Sequence, residues 1–437
     1  MTTLVNCVAP HAGSDPGFPP PGLLSLAASI RQAGFPVRLA DLACAGKAGV
    51  PAPEDFPKWL GEPTPMVGFS TMSNMLPYAL EAARCLKDAR PKTTIVFGGC
   101  GPQAAVKEIL EQFPFIDYVF QGEAEHTFAE FLRQQDNRDA WSGIKGLAFR
   151  QNGSVQVNPP PLRIKDLDAL PRPAYDLIDL SGYSNFIGLQ TSRGCPFSCT
   201  YCEASFSRQR LLATHSIGRV IEDIRHLQTL YPDRKLGLVD DTFTVPRERA
   251  AQFCREYLAA GFNFRWGILS RVDGIDVPLM ELLFKARCEG VYFGIESGSD
   301  KTLRAIRKGI TREQICDVVP RARDYFTEVT ASFMWGFPFE DMADLEETLM
   351  LAAFLRTYGI NVQLHLWSPM PRSALFKQYQ AQLIYDPGVQ SNLVLGNVTR
   401  YQSLIASNPT IFAPFYHVPH PAFEQKRQMV EGMGFAG

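Results

Sequence analysis

Two proline-rich stretches, Asn158-Pro159-Pro160-Pro161 and Leu170-Pro171-Arg172-Pro173, can continue neither a helix nor a central strand, and they cut the chain in two. On each side, apolar runs of strand length alternate with segments of helical apolar spacing. In the first part, strand patterns fall at 3–8, 37–40, 66–70, 94–97 and 116–120, and helical patterns at 22–33, 77–89, 104–112 and 125–134. In the second, strand patterns at 186–191, 235–239, 264–269, 290–295, 329–334 and 361–367 are separated by helical ones at 217–230, 247–260, 278–288, 311–325 and 345–358. Such alternation implies parallel sheets covered by helices. The expected class is α/β: a Rossmann-like, flavodoxin-like domain over 1–140, a linker over 141–185, a partial or full barrel of six units, (βα)6, over 186–374 and a C-terminal cap over 375–437.

The composition narrows the functional classes. The 437 residues are 46% hydrophobic and 20% charged, with a net charge of -2 from 43 basic and 45 acidic side chains. That balance favours neither nucleic acid nor an anionic membrane as a partner. No apolar stretch approaches the ~20 residues of a membrane span. The opening residues lack the basic and then apolar pattern of a signal peptide, so a cytoplasmic location is expected. There a disulfide framework is not expected from ten cysteines. Seven are scattered singly and read as small buried hydrophobes.

The other three form Gly194-Cys195-Pro196-Phe197-Ser198-Cys199-Thr200-Tyr201-Cys202, a C-x3-C-x2-C loop after a strand pattern. Thiols this close bind metal. Structural zinc needs four ligands, and no fourth cysteine or histidine follows within ten residues. Three thiolates on a cubane leave one iron open to an outside ligand. A zinc site completed from a distant residue, in a binding module without activity, is the plainer alternative.

This loop resembles the signature of the radical S-adenosylmethionine superfamily. Similarity continues through Val239-Asp240-Asp241-Thr242-Phe243, Ser270-Arg271-Val272-Asp273, Gly294-Ile295-Glu296-Ser297-Gly298, Lys308-Gly309 and Gly336-Phe337-Pro338-Phe339-Glu340. The resemblance implies a four-iron four-sulfur cluster on Cys195, Cys199 and Cys202, with S-adenosylmethionine chelating the open iron. It implies that Tyr201, Glu296 and Ser297 contact S-adenosylmethionine, with Asp240 and Arg271 as further polar contacts. A carboxylate at a strand end can equally be a helix cap.

In the first part, Pro20-Pro21-Gly22-Leu23-Leu24, Gly98-Gly99-Cys100-Gly101-Pro102 and Gly122-Glu123-Ala124-Glu125-His126 resemble the cobalamin-binding domain that precedes many of these enzymes. Ser70, Thr71, Asn74, Gly98, Gly99, Cys100, Gly101, Gly122 and Glu123 are the implied cobalamin contacts. The D-x-H-x-x-G string that gives cobalt a histidine is absent, since Leu42, Ala43 and Cys44 follow Asp41. The implied activity is methyl transfer to an unactivated carbon through a 5′-deoxyadenosyl radical and methylcobalamin. The substrate would be a small molecule or peptide, and a flavodoxin or ferredoxin the electron donor. A non-methylating cyclisation or rearrangement and a methylthiotransferase are the rival activities. No catalytic residue is singled out.

Overall fold

The computed structural model describes residues 1–7, 17–45, 49–183, 185–204, 211–389, 398–420 and 422–434. The chain forms two compact units. The first comprises Met1–Lys165, Ala169–Ser184 and Val394–Phe415, and the second Asp166–Asp168, Asn185–Leu393 and Tyr416–Gly437. Expected as one cap, 375–437 is thus divided between the units, and most of 141–185 belongs to the first rather than to a linker. Among the described residues no helix is long and apolar enough to cross a membrane.

The first unit is a seven-stranded sheet of β1 (Thr2–Asn6), β2 (Val37–Asp41), β3 (Met66–Ser70), β4 (Thr94–Gly98), β5 (Tyr118–Phe120), β6 (Leu147–Gln151) and β7 (Ser154–Val157), ordered β2-β1-β3-β4-β5-β6-β7. Val8, expected in the first strand, lies outside the described residues. β1–β5 are mutually parallel, and their 2-1-3-4-5 order is that of flavodoxin-like folds. The helix Pro21–Gln32 begins on a proline whose missing N–H costs nothing there. It lays Leu23, Ala27 and Ile30 on a core shared with Leu4, Phe120, Phe128, Phe131 and Trp141. β6 and β7 form an antiparallel hairpin on the edge. Its turn, Asn152-Gly153, has φ of 51° and 77°, the left-handed pair that two-residue hairpins require.

The second unit carries β8 (Phe186–Leu189), the two-residue strands β9 (Ser192–Arg193) and β10 (Ala213–Thr214), β11 (Lys235–Leu238), β12 (Trp266–Ser270), β13 (Cys288–Glu296), β14 (Glu328–Trp335) and β15 (Asn361–Leu366). Six of them form one all-parallel sheet in chain order, β15-β14-β13-β12-β11-β8, the expected partial barrel. Its helices start on firm caps: Ser216, Asp276, Thr311 and Asp341 each accept from a first-turn N–H, the last two in capping boxes. Alternate residues Ile187, Leu189, Leu236, Leu238, Ile268, Val291 and Phe293 are buried. On the opposite face Gly188, Gly237, Gly267 and Gly290 stand side by side across four strands. Barrel interiors are normally filled by layers of branched side chains. Here one layer has none, and Leu269 above it stays 37% exposed.

The helix Phe423–Gly432 closes on the barrel through Lys426. Its ammonium meets Glu340 Oε2 at 3.0 Å and the Glu340 carbonyl at 2.5 Å, with both side chains fully buried. Beside it, burial pushes His420 down to about 4, with Lys426 and His417 adding repulsion. A histidine titrates near ~6.5 when unfolded. Between those values only the unfolded chain binds the proton, so stability falls as pH drops from about 6.5 towards 4. Urea midpoints at pH 7 and pH 5 should differ, and a His420→Gln variant should narrow the gap.

Candidate functional site

The three cysteines leave the carboxyl end of β8 on a loop whose two ends are paired by the β9–β10 ribbon, Arg193 opposite Ala213 and Ser192 opposite Thr214. Two adjacent carboxylates grip its entrance. Asp240, 1% exposed, accepts from Thr191 N at 2.6 Å, Thr191 Oγ1 at 2.5 Å and Ser192 N at 2.9 Å. Asp241 accepts from Gly194 N at 3.1 Å, where the chain turns through φ of 99°. Burial pushes the Asp240 carboxyl up, and these hydrogen bonds work against it. Farther along, Thr200 N donates to Ile306 O at 2.9 Å and Leu375 N to Thr200 O at 2.8 Å. A short segment rich in thiols is therefore held by backbone hydrogen bonds to three separate parts of the unit.

Cys199 is buried, and Cys195 and Cys202 are half-buried. Burial pushes the Cys195 thiol up, an N–H from Phe197 eases it, and repulsion from Cys202, Asp241 and Cys199 adds to the rise. Cys195 thus lies within electrostatic reach of both Cys199 and Cys202. Among the described residues no three His, Cys, Asp or Glu side chains converge on a single-ion position. Against Cys199 lies Arg271, 6% exposed, with Nη1 3.9 Å from Sγ.

Tyr201, Glu296 and Lys308, the last of which was not among the expected contacts, form one buried group. Tyr201 donates to Glu296 Oε1 at 2.9 Å, and Lys308 Nζ reaches the same oxygen at 2.7 Å and the Tyr201 oxygen at 3.3 Å. Glu296 and Lys308 are 7% and 5% exposed. Glu296 sits at a register shift between β13 and β14 with φ of 76°, a conformation costing a non-glycine residue of order 1–3 kcal/mol. Gly294 makes room: a Cβ there would stand 2.7 Å from Glu296 Oε1 and 3.1 Å from Lys308 Nζ.

The other expected contacts are placed differently. Ser297 is fully buried, its hydroxyl 3.0 Å from Thr348 Oγ1 and accepting from Ser299 N at 3.1 Å. Both it and Asp240 are occupied in holding the fold. Gly298 packs so closely on the helix Met342–Arg356 that a Cβ would meet Glu347 O at 2.5 Å.

In the first unit, Ser70–Asn74 and Gly98–Gly101 form interlocked loops at the carboxyl ends of β3 and β4. Thr71 N donates to Gly98 O at 3.1 Å, and Gly101 N to Thr71 O at 2.8 Å. Cys100 is exposed and Thr71 buried. A Cβ on Gly101 would stand 2.9 Å from the Met72 carbonyl. Gly122 and Glu123 follow β5 but are engaged elsewhere. A Cβ on Gly122 would meet the Pro161 ring at 2.9 Å, and Glu123 pairs with Arg163 at 3.2 Å and accepts from Ile164 N at 2.7 Å. The ends of β1 and β2 hold Asn6, Asp41 and Tyr183, with Tyr183 donating to Asp41 Oδ2 at 2.6 Å and Asn6 to Oδ1 at 2.8 Å. The returning turn Ala413–Phe415 packs against Ser73–Met75. Glycines just past the carboxyl ends of parallel strands let a backbone come close to a large flat ligand. Gly101→Ala should force the loops apart. Corrin retained per chain after gel filtration should fall at least tenfold, with cluster iron unchanged.

The chain is similar to known proteins in both units. The Radical SAM superfamily profile matches residues 189–352 and the B12 binding domain profile residues 12–132. An uncharacterized methyltransferase of Pyrococcus horikoshii is 32% identical over 76% of this chain and 73% of its own length. The anaerobic magnesium-protoporphyrin IX monomethyl ester cyclase of Synechocystis is 27% identical over 75% of this chain and 66% of its own. The radical S-adenosylmethionine methyltransferase TsrM of Kitasatospora setae, solved with tryptophan and an S-adenosylmethionine analogue, superimposes with a TM-score of 0.76 over 99% of this chain and 88% of that one, at 16% identity. That likeness bears on the fold. The cofactors of such enzymes are a four-iron four-sulfur cluster, S-adenosylmethionine and cobalamin. With both profiles in order on one chain and a relative above 30% identity matched over most of its length, this chain belongs to the radical S-adenosylmethionine superfamily and carries a B12 binding domain ahead of the radical S-adenosylmethionine domain.

Proposed function

We propose that the enzyme methylates an unactivated carbon of a small molecule. The observation that carries this reading is the cysteine loop, anchored at the carboxyl end of β8 by Asp240 and Asp241, on a chain whose other unit presents open loops beyond β3 and β4. When bound, the cluster and S-adenosylmethionine supply one-electron activation of a C–H bond, and cobalamin supplies the methyl group.

The protein's own part is positioning. Cys195, Cys199 and Cys202 are the proposed iron ligands. Tyr201 and Glu296 are the proposed polar wall for S-adenosylmethionine, with Lys308 Nζ paired to Glu296 Oε1 at 2.7 Å. Asp240, Ser297 and Arg271 move from the contacts expected of them to the support of that wall and loop. Ser70, Thr71, Asn74, Gly98, Gly99, Cys100 and Gly101 are the proposed cobalamin seat, while Gly122 and Glu123 brace 161–164. Gly188, Gly237, Gly267 and Gly290 put no side chains of their own on that face of the sheet, which favours a substrate of modest size over a macromolecule. A reducing cytoplasm keeps adjacent thiols available for iron, and we place the enzyme there. A one-electron donor of the flavodoxin or ferredoxin class completes the system.

The test is product mass under anaerobic turnover with S-adenosylmethionine labelled in its methyl group. A product one CH2 heavier and carrying the label supports methylation. A cyclisation, favoured as the second reading by the similarity to cyclases, gives 5′-deoxyadenosine and an unlabelled product.

A further inference from the structure

We propose that Arg271 raises the reduction potential of the iron–sulfur cluster by holding a positive charge against the Cys199 thiolate. The inference rests on Cys199 being a cluster ligand. Four contacts fix the guanidinium. Nε and Nη2 meet the two oxygens of Asp273 at 2.8 Å each, and Nη2 also donates to Lys308 O at 2.6 Å. The plane lies over Phe197, a residue of the cysteine loop itself, with Cζ 3.7 Å from the ring centroid. These contacts occupy Nε and Nη2 and leave Nη1 directed at Cys199 Sγ, 3.9 Å away.

Arginine suits this task. Its charge is permanent, and its planar fork can be held on one edge while the other points elsewhere. A cluster takes up one electron from its donor and becomes more negative, so a nearby cation stabilises the reduced form more than the oxidised one. Hydrogen bonds and charges at the ligating sulfurs are among the factors that set cluster potentials. With the guanidinium 6% exposed, solvent screens the interaction weakly. Asp273 works the other way. It orients Arg271 and offsets part of its charge, and its own side chain is 27% exposed.

The two residues therefore predict shifts of opposite sign, which a purely structural role does not. Anaerobically reconstituted full-length wild type, Arg271→Met and Asp273→Asn should be titrated with dithionite and mediators, following the reduced cluster by electron paramagnetic resonance. Iron and sulfide contents should be measured on the same samples. The midpoint of Arg271→Met should move more negative, and that of Asp273→Asn more positive. Midpoints unchanged in both, or moved in the same direction, would overturn the proposal. Should Arg271→Met fail to hold a cluster, the sign of the Asp273→Asn shift decides alone. A wild type that binds no iron would instead defeat the assignment of the cysteines, a distinguishable failure.

Discussion

Cys199→Ala enzyme, reconstituted with iron and sulfide, should retain background iron and release no 5′-deoxyadenosine above a no-enzyme control. Losing an outer partner of a metal ligand typically costs ~10–100-fold in affinity or activity, and losing one of three thiolates costs more. The fold should survive. Cys199 lies on a loop whose anchors are backbone groups at Thr191, Ser192, Gly194 and Thr200, none of which uses the thiol. Cys254, by contrast, is buried in the helix Arg247–Ala259 beside Phe253, and Cys254→Ala should leave cluster iron and 5′-deoxyadenosine near wild type. Equal product from Cys199→Ala and wild type would remove the chemical basis of the site.

Lys308→Met should be the most damaging change outside the cysteines. It leaves Glu296 in a buried, strained position with Tyr201 as its remaining side-chain donor there, and breaking one partner of a buried ion pair costs about 3–5 kcal/mol. Thermal or urea unfolding measures that loss. Glu296→Gln combined with Lys308→Met should recover much of the stability, because no lone charge remains inside. It should not recover 5′-deoxyadenosine formation, because the acidic wall proposed for S-adenosylmethionine is gone. A double variant as active as wild type would assign the pair to stability alone.

The parallel strands were legible because each carries several Val, Ile, Leu or Phe within a short run between helical segments, and the helix caps sit at the ends of those runs. The hairpin within 141–185 was equally written in the sequence. Asn152-Gly153 is a strong two-residue turn signal, followed closely by the strand-breaking prolines 159–161. The site was legible in part. Chain spacing finds three thiols within eight residues, but it does not find Lys308, twelve residues from Glu296, whose contact depends on a bulge in β13 and a left-handed φ. Asp240 and Ser297 had the right chemistry for a ligand and the right strand-end position. Only the three-dimensional placement shows their oxygens already engaged by Thr191, Ser192, Ser299 and Thr348. Covalent neighbours do not reveal such saturation.

The N-terminal unit is discontinuous, since Val394–Phe415 rejoins it and Ala413–Phe415 rests on the turn Ser73–Met75. During synthesis Ala413–Phe415 must therefore emerge, long after the strands of this sheet, before that turn meets its cover. A nascent chain halted after the flavodoxin-like strands would present the turn Ser73–Met75 without that cover.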